Sequence, residues 1–442
     1  MTPDCTNDVT KTSQRTKDFH PYLPHQGLFR FSKSAKHGLR CQFASRLVDI
    51  PRFNSSTSNK RHMNPPSTIL FAGGGTGGHL FPGIAAADEL RRRDPSTRVV
   101  FVGSTRSIES TIVAEHGLEH RMLPVEPLPT LKRNPLRFLF RNWAALREAI
   151  RLLKELRPDA VVGLGGYASA PIVWAASRRR IPVILIEQNV IPGRTTRLLS
   201  RFADHVCVSF SESISRLPKA RHIVVTGNPV RASIAKLYNR NSLELTDEEP
   251  STFKQQQLLI LGGSQGADSL NVAVMAAIKK LADQLKTWKI VHQTGPRDAE
   301  RTRSQYQELG LTFVVEPFFH DMAELYSLSD LVVSRSGATT LAELACAQTP
   351  MILLPYPHAA DDHQRANAQA FVDHNAAVLV EHSTPPETTA DKLADALKSL
   401  IDDVACRKRM SHAAKKLAHP DAAQMFADVI EASIRPASQE PH

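Results

Sequence analysis

Residues 71–83 read FAGGGTGGHLFPG, five glycines in six positions, broken only by Thr76 and followed at once by His79. Each glycine costs about 0.5–1 kcal/mol against alanine inside a regular element, so the run marks a loop whose backbone approaches something closely. The TILF before it reads as a strand and the PGIAAADELRRR after it as a helix. That is the βα entry of a doubly wound nucleotide-binding domain. From Leu258, LLILGGSQGADSLNVAVMAAIKKLADQL repeats the plan. The fold class is therefore α/β, with two Rossmann-like domains in tandem.

Short apolar runs fill the rest: RVVFVG, DAVVGLGG, PVILIEQN, HVCVSF and HIVVTGNP in the first half, then KIVHQTG, TFVVEPF, DLVVSRSG, PMILLPYP and AAVLVEH. Runs without strict alternation suit strands buried on both faces of parallel sheets. The expected boundaries are a first domain at 67–236, a polar linker at 237–256 and a second domain at 257–420. Open α/β sheets bind ligands beyond the carboxyl ends of their strands, which places the ligands in the cleft between the domains.

The length of 442 residues suits two domains. Of the +11 net charge, most belongs to residues 1–66, where eleven Lys/Arg face four Asp. That extension lacks periodicity and is rich in Ser, Thr, Asn and basic residues, a composition whose default is disorder. Met63, five residues before Thr68, is the expected functional start; a transit peptide is the alternative, and no apolar core of a secretory signal is present. The remaining charge calls for no nucleic acid, and none is expected as a partner. No apolar stretch approaches the roughly 18–20 residues of a membrane span. The five cysteines form no CxxC and no close-spaced framework, which points to a reduced, cytosolic compartment.

Gly73, Gly75 and Gly78 satisfy GxGxxG, but a dinucleotide enzyme also needs an acid at the end of the next strand. That strand, RVVFVGSTRS, ends in Gly103 and Ser104. Neither glycine loop has a Walker lysine. No cofactor is expected. What remains is a backbone cradle for a phosphate or polar ligand at a helix N-terminus, with His79 at its mouth. His79 is either a titrating group of the site or a helix cap packed against Phe81.

Eight separated blocks carry a resemblance: GGGTGGHLFPG (73–83), GLGGYASAP (163–171), IEQNVIPG (186–193), TGNPVR (226–231), GGSQGA (262–267), HQTG (292–295), RSGATTLAE (335–343) and DDHQRANA (361–368). In this order they resemble the MurG family, bacterial transferases that add N-acetylglucosamine to undecaprenyl-linked muramyl-pentapeptide in peptidoglycan synthesis. The likeness runs from about Thr68 to about Val429. It implies the glycosyltransferase B architecture, with UDP-N-acetylglucosamine held by the C-terminal domain and the lipid-linked acceptor met by the N-terminal one. It also implies a final helix, within 421–436, returning to the first domain, and a place at the cytoplasmic face of the bacterial inner membrane. Many members carry His where this chain has Ile186, so a catalytic role for that His cannot apply. A transferase using another lipid acceptor and a UDP-N-acetylglucosamine epimerase are the alternatives.

Inverting transfer needs a base for the acceptor hydroxyl. His79 is the first candidate, since imidazole titrates near working pH, and Glu187 is the rival. No two aspartates are separated by a single residue, so no metal site of the Asp-x-Asp type is expected, and the diphosphate falls to backbone N–H groups and Arg. By resemblance the donor site comprises Thr76, Gly77, Gly78, Asn189, Phe319 and Gln364, with Ala338, Thr339 and Thr340 at the diphosphate; Arg231 and Ser264 are the first choices for the directed donors that the leaving diphosphate needs. Leu341 and Ala342 follow on the same segment, and Glu343 takes the ribose. His363 and Asn367 read as helix-capping residues.

Segment 131–157, LKRNPLRFLFRNWAALREAIRLLKELR, starts a helix at Asn134-Pro135. From Leu146 onward its apolar stripe packs on the sheet. Before that, Lys132, Arg133, Arg137 and Arg141 surround Leu136, Phe138 and Phe140, a combination suited to an anionic membrane surface.

Overall fold

The computed structural model describes residues 67–74, 77–105, 107–239, 255–262 and 268–434. Thr76, Ser264, the 1–66 extension, most of the 237–256 linker and the last residues of 421–436 lie outside the described residues.

Among the described residues, thirteen strands form two all-parallel sheets. The first contains β1 (Thr68–Ala72), β2 (Arg98–Gly103), β3 (Glu119–Met122), β4 (Ala160–Gly163), β5 (Val183–Glu187), β6 (His205–Val208) and β7 (His222–Val225), in the order β3-β2-β1-β4-β5-β6-β7. The second contains β8 (Gln256–Leu261), β9 (Trp288–Gln293), β10 (Thr312–Glu316), β11 (Leu331–Ser334), β12 (Met351–Leu353) and β13 (Ala377–Leu379), in the order β10-β9-β8-β11-β12-β13. Each sheet begins at its centre, steps to one edge and then jumps back to fill the other side. The switch points fall between β1 and β4 and between β8 and β11, the places where such sheets bind ligands.

The side-chain period of two explains why the strands are apolar throughout. In β1, Leu70 and Ala72 face one buried cluster with the helix Pro135–Leu156, while Ile69 and Phe71 face another with the helix Gly77–Arg93. β8 divides likewise, Leu258 and Ile260 against Leu259 and Leu261. The last helix, Ala422–Ile434, lies on the first sheet: Phe426, Ala427, Val429 and Ile430 pack with Ile69, Phe71 and Phe101. Arg93 pins it by an ion pair to Asp428 at 2.6 Å. At the other crossing, Val230, Ile234 and Leu237 are buried with Leu259 and Val332 of the second domain. Packing thus passes from the first core to the second between Val225 and Val230.

The glycines of the first loop meet main chain, not empty space. A Cβ on Gly73, whose φ is +119°, would lie 2.3 Å from the Gly165 carbonyl oxygen. One on Gly166 would lie 2.8 Å from the carbonyl oxygen of Gly74. The loops leaving β1 and β4 therefore interlock backbone against backbone. Gly73→Ala has no relief from either fault: its backbone strain alone is worth about 1–3 kcal/mol, and the contact with Gly165 adds to it. The variant is expected to lose about 3 kcal/mol or more in urea unfolding; unchanged stability would show that the loops do not need this contact.

Candidate functional site

The interlocked loops deliver His79 to the cleft. It is the third residue of the helix Gly77–Arg93, half-buried, with its ring against the glycine loop that leaves β4. A Cβ on Gly165 would lie 3.3 Å from the His79 Cδ2 and 3.5 Å from Nε2. Burial, with a smaller contribution from the charge of His363 on the second domain, lowers the imidazole pKa to about 4. The ring is therefore neutral at pH 7.

Glu187, at the end of β5, is buried and already surrounded by donors. It accepts from the Asn189 backbone N–H at 3.0 Å, the Asn189 amide at 3.2 Å, the Gly193 N–H at 2.9 Å and the Thr196 hydroxyl. Burial raises its pKa and these bonds oppose the rise. Its two oxygens fold the 187–196 segment into a tight loop that ends at the helix Arg194–Leu199.

That loop crosses to the second domain. Asn367 accepts from the Val190 N–H at 2.9 Å and donates to Asn189 Oδ1 at 3.0 Å and Ser336 O at 3.3 Å. Asn367 is fully buried inside the helix His363–Val372 and is not a cap. His363 does turn its Nδ1 to the Ala360 carbonyl at 2.7 Å. Asp361 joins both Arg194 at 2.7 Å and Arg197 at 2.6 Å.

The helix Ala338–Ala347 points its N-terminus into the same seam, and its N-cap, Gly337, has no side chain to occupy the first N–H groups. Such an end favours an anion. Thr339 donates to the Gly78 carbonyl at 3.0 Å and receives the Asn228 amide at 3.3 Å. Glu343 is buried, paired with Arg231 at 2.9 Å and bonded by the Tyr326 hydroxyl at 2.9 Å. Burial raises the Glu343 pKa, while Arg231 and Tyr326 hold it back. The Arg231 guanidinium also lies over Phe81, 5.2 Å from the ring centre, and the His116 ring meets Phe81 edge-on.

The geometry thus brings together Gly78, Thr339, Arg231, Glu343 and Asn189. Leu341 is fully buried in the second core, leaving only its backbone for a ligand. Gln364 accepts from the Tyr356 N–H at 2.9 Å, and Phe319 donates its N–H to Gln293 at 3.2 Å. Asn228, Asn367, Tyr326 and Asp361 were not picked out from sequence as site residues. Asn228 had a signal, its place in the TGNPVR block. Three adjacent strand exits of the first sheet carry buried polar atoms without a partner: Gln188 Nε2, Ser209 Oγ and Asn228 Oδ1. Among the described residues, no group of three or more His, Cys, Asp or Glu stands in a metal-ligating arrangement.

Away from the cleft, Asn134 caps the helix Pro135–Leu156 by accepting from the Arg137 N–H at 3.0 Å. Its first turns leave Leu136 79%, Leu139 61%, Phe140 68% and Trp143 55% exposed. Phe138 is half-buried. Arg137 and Arg141 lie 2.8 and 3.6 Å from Glu126, so their charge is partly neutralised within the protein. Lys132 and Arg133 remain exposed.

Residues 69–208 match the family described as glycosyltransferase family 28 N-terminal domain, and 257–426 its C-terminal domain. A protein of Anaeromyxobacter sp. (strain K), named UDP-N-acetylglucosamine–N-acetylmuramyl-(pentapeptide) pyrophosphoryl-undecaprenol N-acetylglucosamine transferase, is 42% identical over 371 residues, 83% of this chain and 93% of that protein. One of Geobacter sulfurreducens with the same name is 39% identical, over 83% of this chain and 99% of its own. The crystal structure of Acinetobacter baumannii MurG superposes with a TM-score of 0.64 at 31% identity, over 83% of this chain and all of that one. With both domains matched in order and full-length relatives near 40% identity, the chain belongs to the MurG family of glycosyltransferase family 28.

Proposed function

We propose that the protein transfers N-acetylglucosamine from UDP-N-acetylglucosamine to the 4-hydroxyl of the muramyl residue of undecaprenyl-pyrophosphoryl-muramyl-pentapeptide, with inversion at the anomeric carbon. The reading is carried by one observation: Thr339, at the open N-terminus of the helix Ala338–Ala347, bonds across the seam to the carbonyl of Gly78, the residue before His79. The acceptor oxygen attacks the anomeric carbon, His79 takes the hydroxyl proton, and UDP leaves with the electron pair of the broken bond. His79 suits the base better than Glu187, whose oxygens are occupied by the four donors that shape its loop.

The diphosphate is assigned to the N-terminus of Ala338–Ala347, with Arg231 beside it and the ribose at Glu343. Even a 10⁶-fold acceleration needs about 8 kcal/mol. A base contributes roughly 10²–10⁴-fold and a helix terminus at most ~2 kcal/mol. Directed donors and positioning must supply the rest.

The acceptor is a lipid, and no described helix is long and apolar enough to cross a membrane. Docking falls to the exposed Leu136, Leu139, Phe140 and Trp143, with Lys132 and Arg133 giving about 1 kcal/mol each near an anionic surface. This supports a peripheral enzyme on the cytoplasmic leaflet.

Incubation with labelled UDP-N-acetylglucosamine, with and without the muramyl-pentapeptide lipid, tests the reaction. Acceptor-dependent UDP release is expected; epimerised sugar, transfer to a diacylglycerol instead, or binding without turnover would overturn it. His79→Ala should lower kcat by about 10²–10⁴ with donor affinity kept. In wild type, kcat/KM should hold down to pH 5 and fall with a midpoint near 4, where the free imidazole protonates. Bound diphosphate favours the cation, so the acid limb of kcat should lie higher. A limb that survives in His79→Ala would assign it to another group. For the membrane, a variant with Lys132, Arg133, Leu136 and Phe140 all changed to Glu should no longer sediment with phosphatidylglycerol vesicles; wild-type binding by that variant would dismiss the patch.

A further inference from the structure

Asn228 stands where β7 leaves the first sheet, on a turn that excludes a side chain at its neighbour. Gly227 has φ +76°, and a Cβ there would fall 2.3 Å from Cβ of His419. The Asn228 side chain is buried, 3% exposed, and its Nδ2 donates to Thr339 Oγ1. Thr339 in turn donates its hydroxyl hydrogen to the Gly78 carbonyl. A hydroxyl has only one hydrogen, so the atom facing it from Asn228 has to be a donor. The amide orientation is fixed by that chain, and Oδ1 is left as a buried acceptor with no partner. Arg231 Nε, three residues on, is a buried donor with none, although the same guanidinium is held by Glu343.

These two orphans ask for different ligand groups. An N–H of a guanidinium suits a phosphate oxygen. A carbonyl oxygen cannot bond an ionised phosphate, which has no hydrogen to give; it needs a hydroxyl or an amide N–H. Asn228 is tied to Thr339, and Thr339 to Gly78, the residue before His79. Glu343, assigned to the ribose, lies about one helical turn further along. The Asn228 side chain is therefore linked to the loop that carries His79, about a helical turn from Glu343.

We propose that Asn228 is a specificity-determining residue that reads the donor sugar, its Oδ1 accepting a hydrogen bond from a hydroxyl or the acetamido N–H of N-acetylglucosamine. The inference rests on the donor assigned above and goes beyond it in separating sugar recognition from nucleotide recognition. Calorimetric titration of the full chain with UDP-N-acetylglucosamine and with UDP tests it. Asn228→Ala should bind UDP-N-acetylglucosamine about ten-fold or more weakly than wild type, with UDP affinity kept within two-fold. Retained UDP binding also shows that the second domain has folded. Asn228→Ser, which keeps a hydroxyl for Thr339 but withdraws the carbonyl, should behave the same way. Equal weakening toward both ligands, or none toward either, would reduce Asn228 to a structural contact. Wild-type protein that fails to bind UDP-N-acetylglucosamine would instead remove the donor assignment itself, a distinguishable failure.

Discussion

β1 and β4 are neighbours in the first sheet, so the two loops that leave them compete for one layer of space. That competition is resolved by having no side chains there: the carbonyl of Gly165 occupies the volume a Cβ on Gly73 would need, and that of Gly74 the volume beyond Gly166. The remaining features of the first domain follow. The helix Gly77–Arg93 begins where this contact lets it begin, His79 is set against Gly165, and Gly78 presents its carbonyl to Thr339. The conformational entropy of the glycines is thus exchanged for a fixed backbone platform, not for a flexible one.

Apolar and polar contacts are divided between two tasks. Both faces of each sheet are covered by aliphatic clusters that hold the separate domains together. The seam is held by polar groups: Asn189 with Asn367, Asn228 with Thr339, Thr339 with Gly78 and Asp361 with two arginines. Polar contacts exchange with water at small net cost, whereas separating the aliphatic cores would expose apolar surface at roughly 25 cal/mol per Å². Cleft opening is thereby confined to the seam.

The sheets were legible because buried parallel strands leave short β-branched runs in the sequence, and both glycine loops and His79 stood in those runs' exits. The long helix from Pro135 was legible through its stripe, and its buried half does begin near Ala145. Other features leave no local trace. Arg231 and Glu343 are 112 residues apart in sequence, and Asn189 and Asn367 are 178 apart. Nothing periodic announces such pairs. The crossover near Asn228 was hidden because the helix after it, Ala232–Ala235, spans only four residues, too few for a 3.6-residue period. Composition marked the later polar stretch, where chain character changes but packing has already crossed. Asn367 read as a cap because its neighbours are polar; burial made it a bridge.

The seam contacts have a consequence for donor binding. Thr339, Arg231 and Glu343 are assigned to the donor, yet each is already bonded across the seam or within it. A donor must replace these bonds or add to them, so its affinity is a difference between two polar networks rather than a sum of new contacts. Because Thr339 and Asn228 also join the domains, whatever the donor does to those bonds changes the opening equilibrium, and linkage requires opening to change donor affinity by the same factor. The nucleotide and the base are carried by opposite domains under this assignment. Their approach is then set by the seam contacts that the donor perturbs, which lets donor occupancy govern when His79 and the anomeric carbon come within reach of one acceptor hydroxyl.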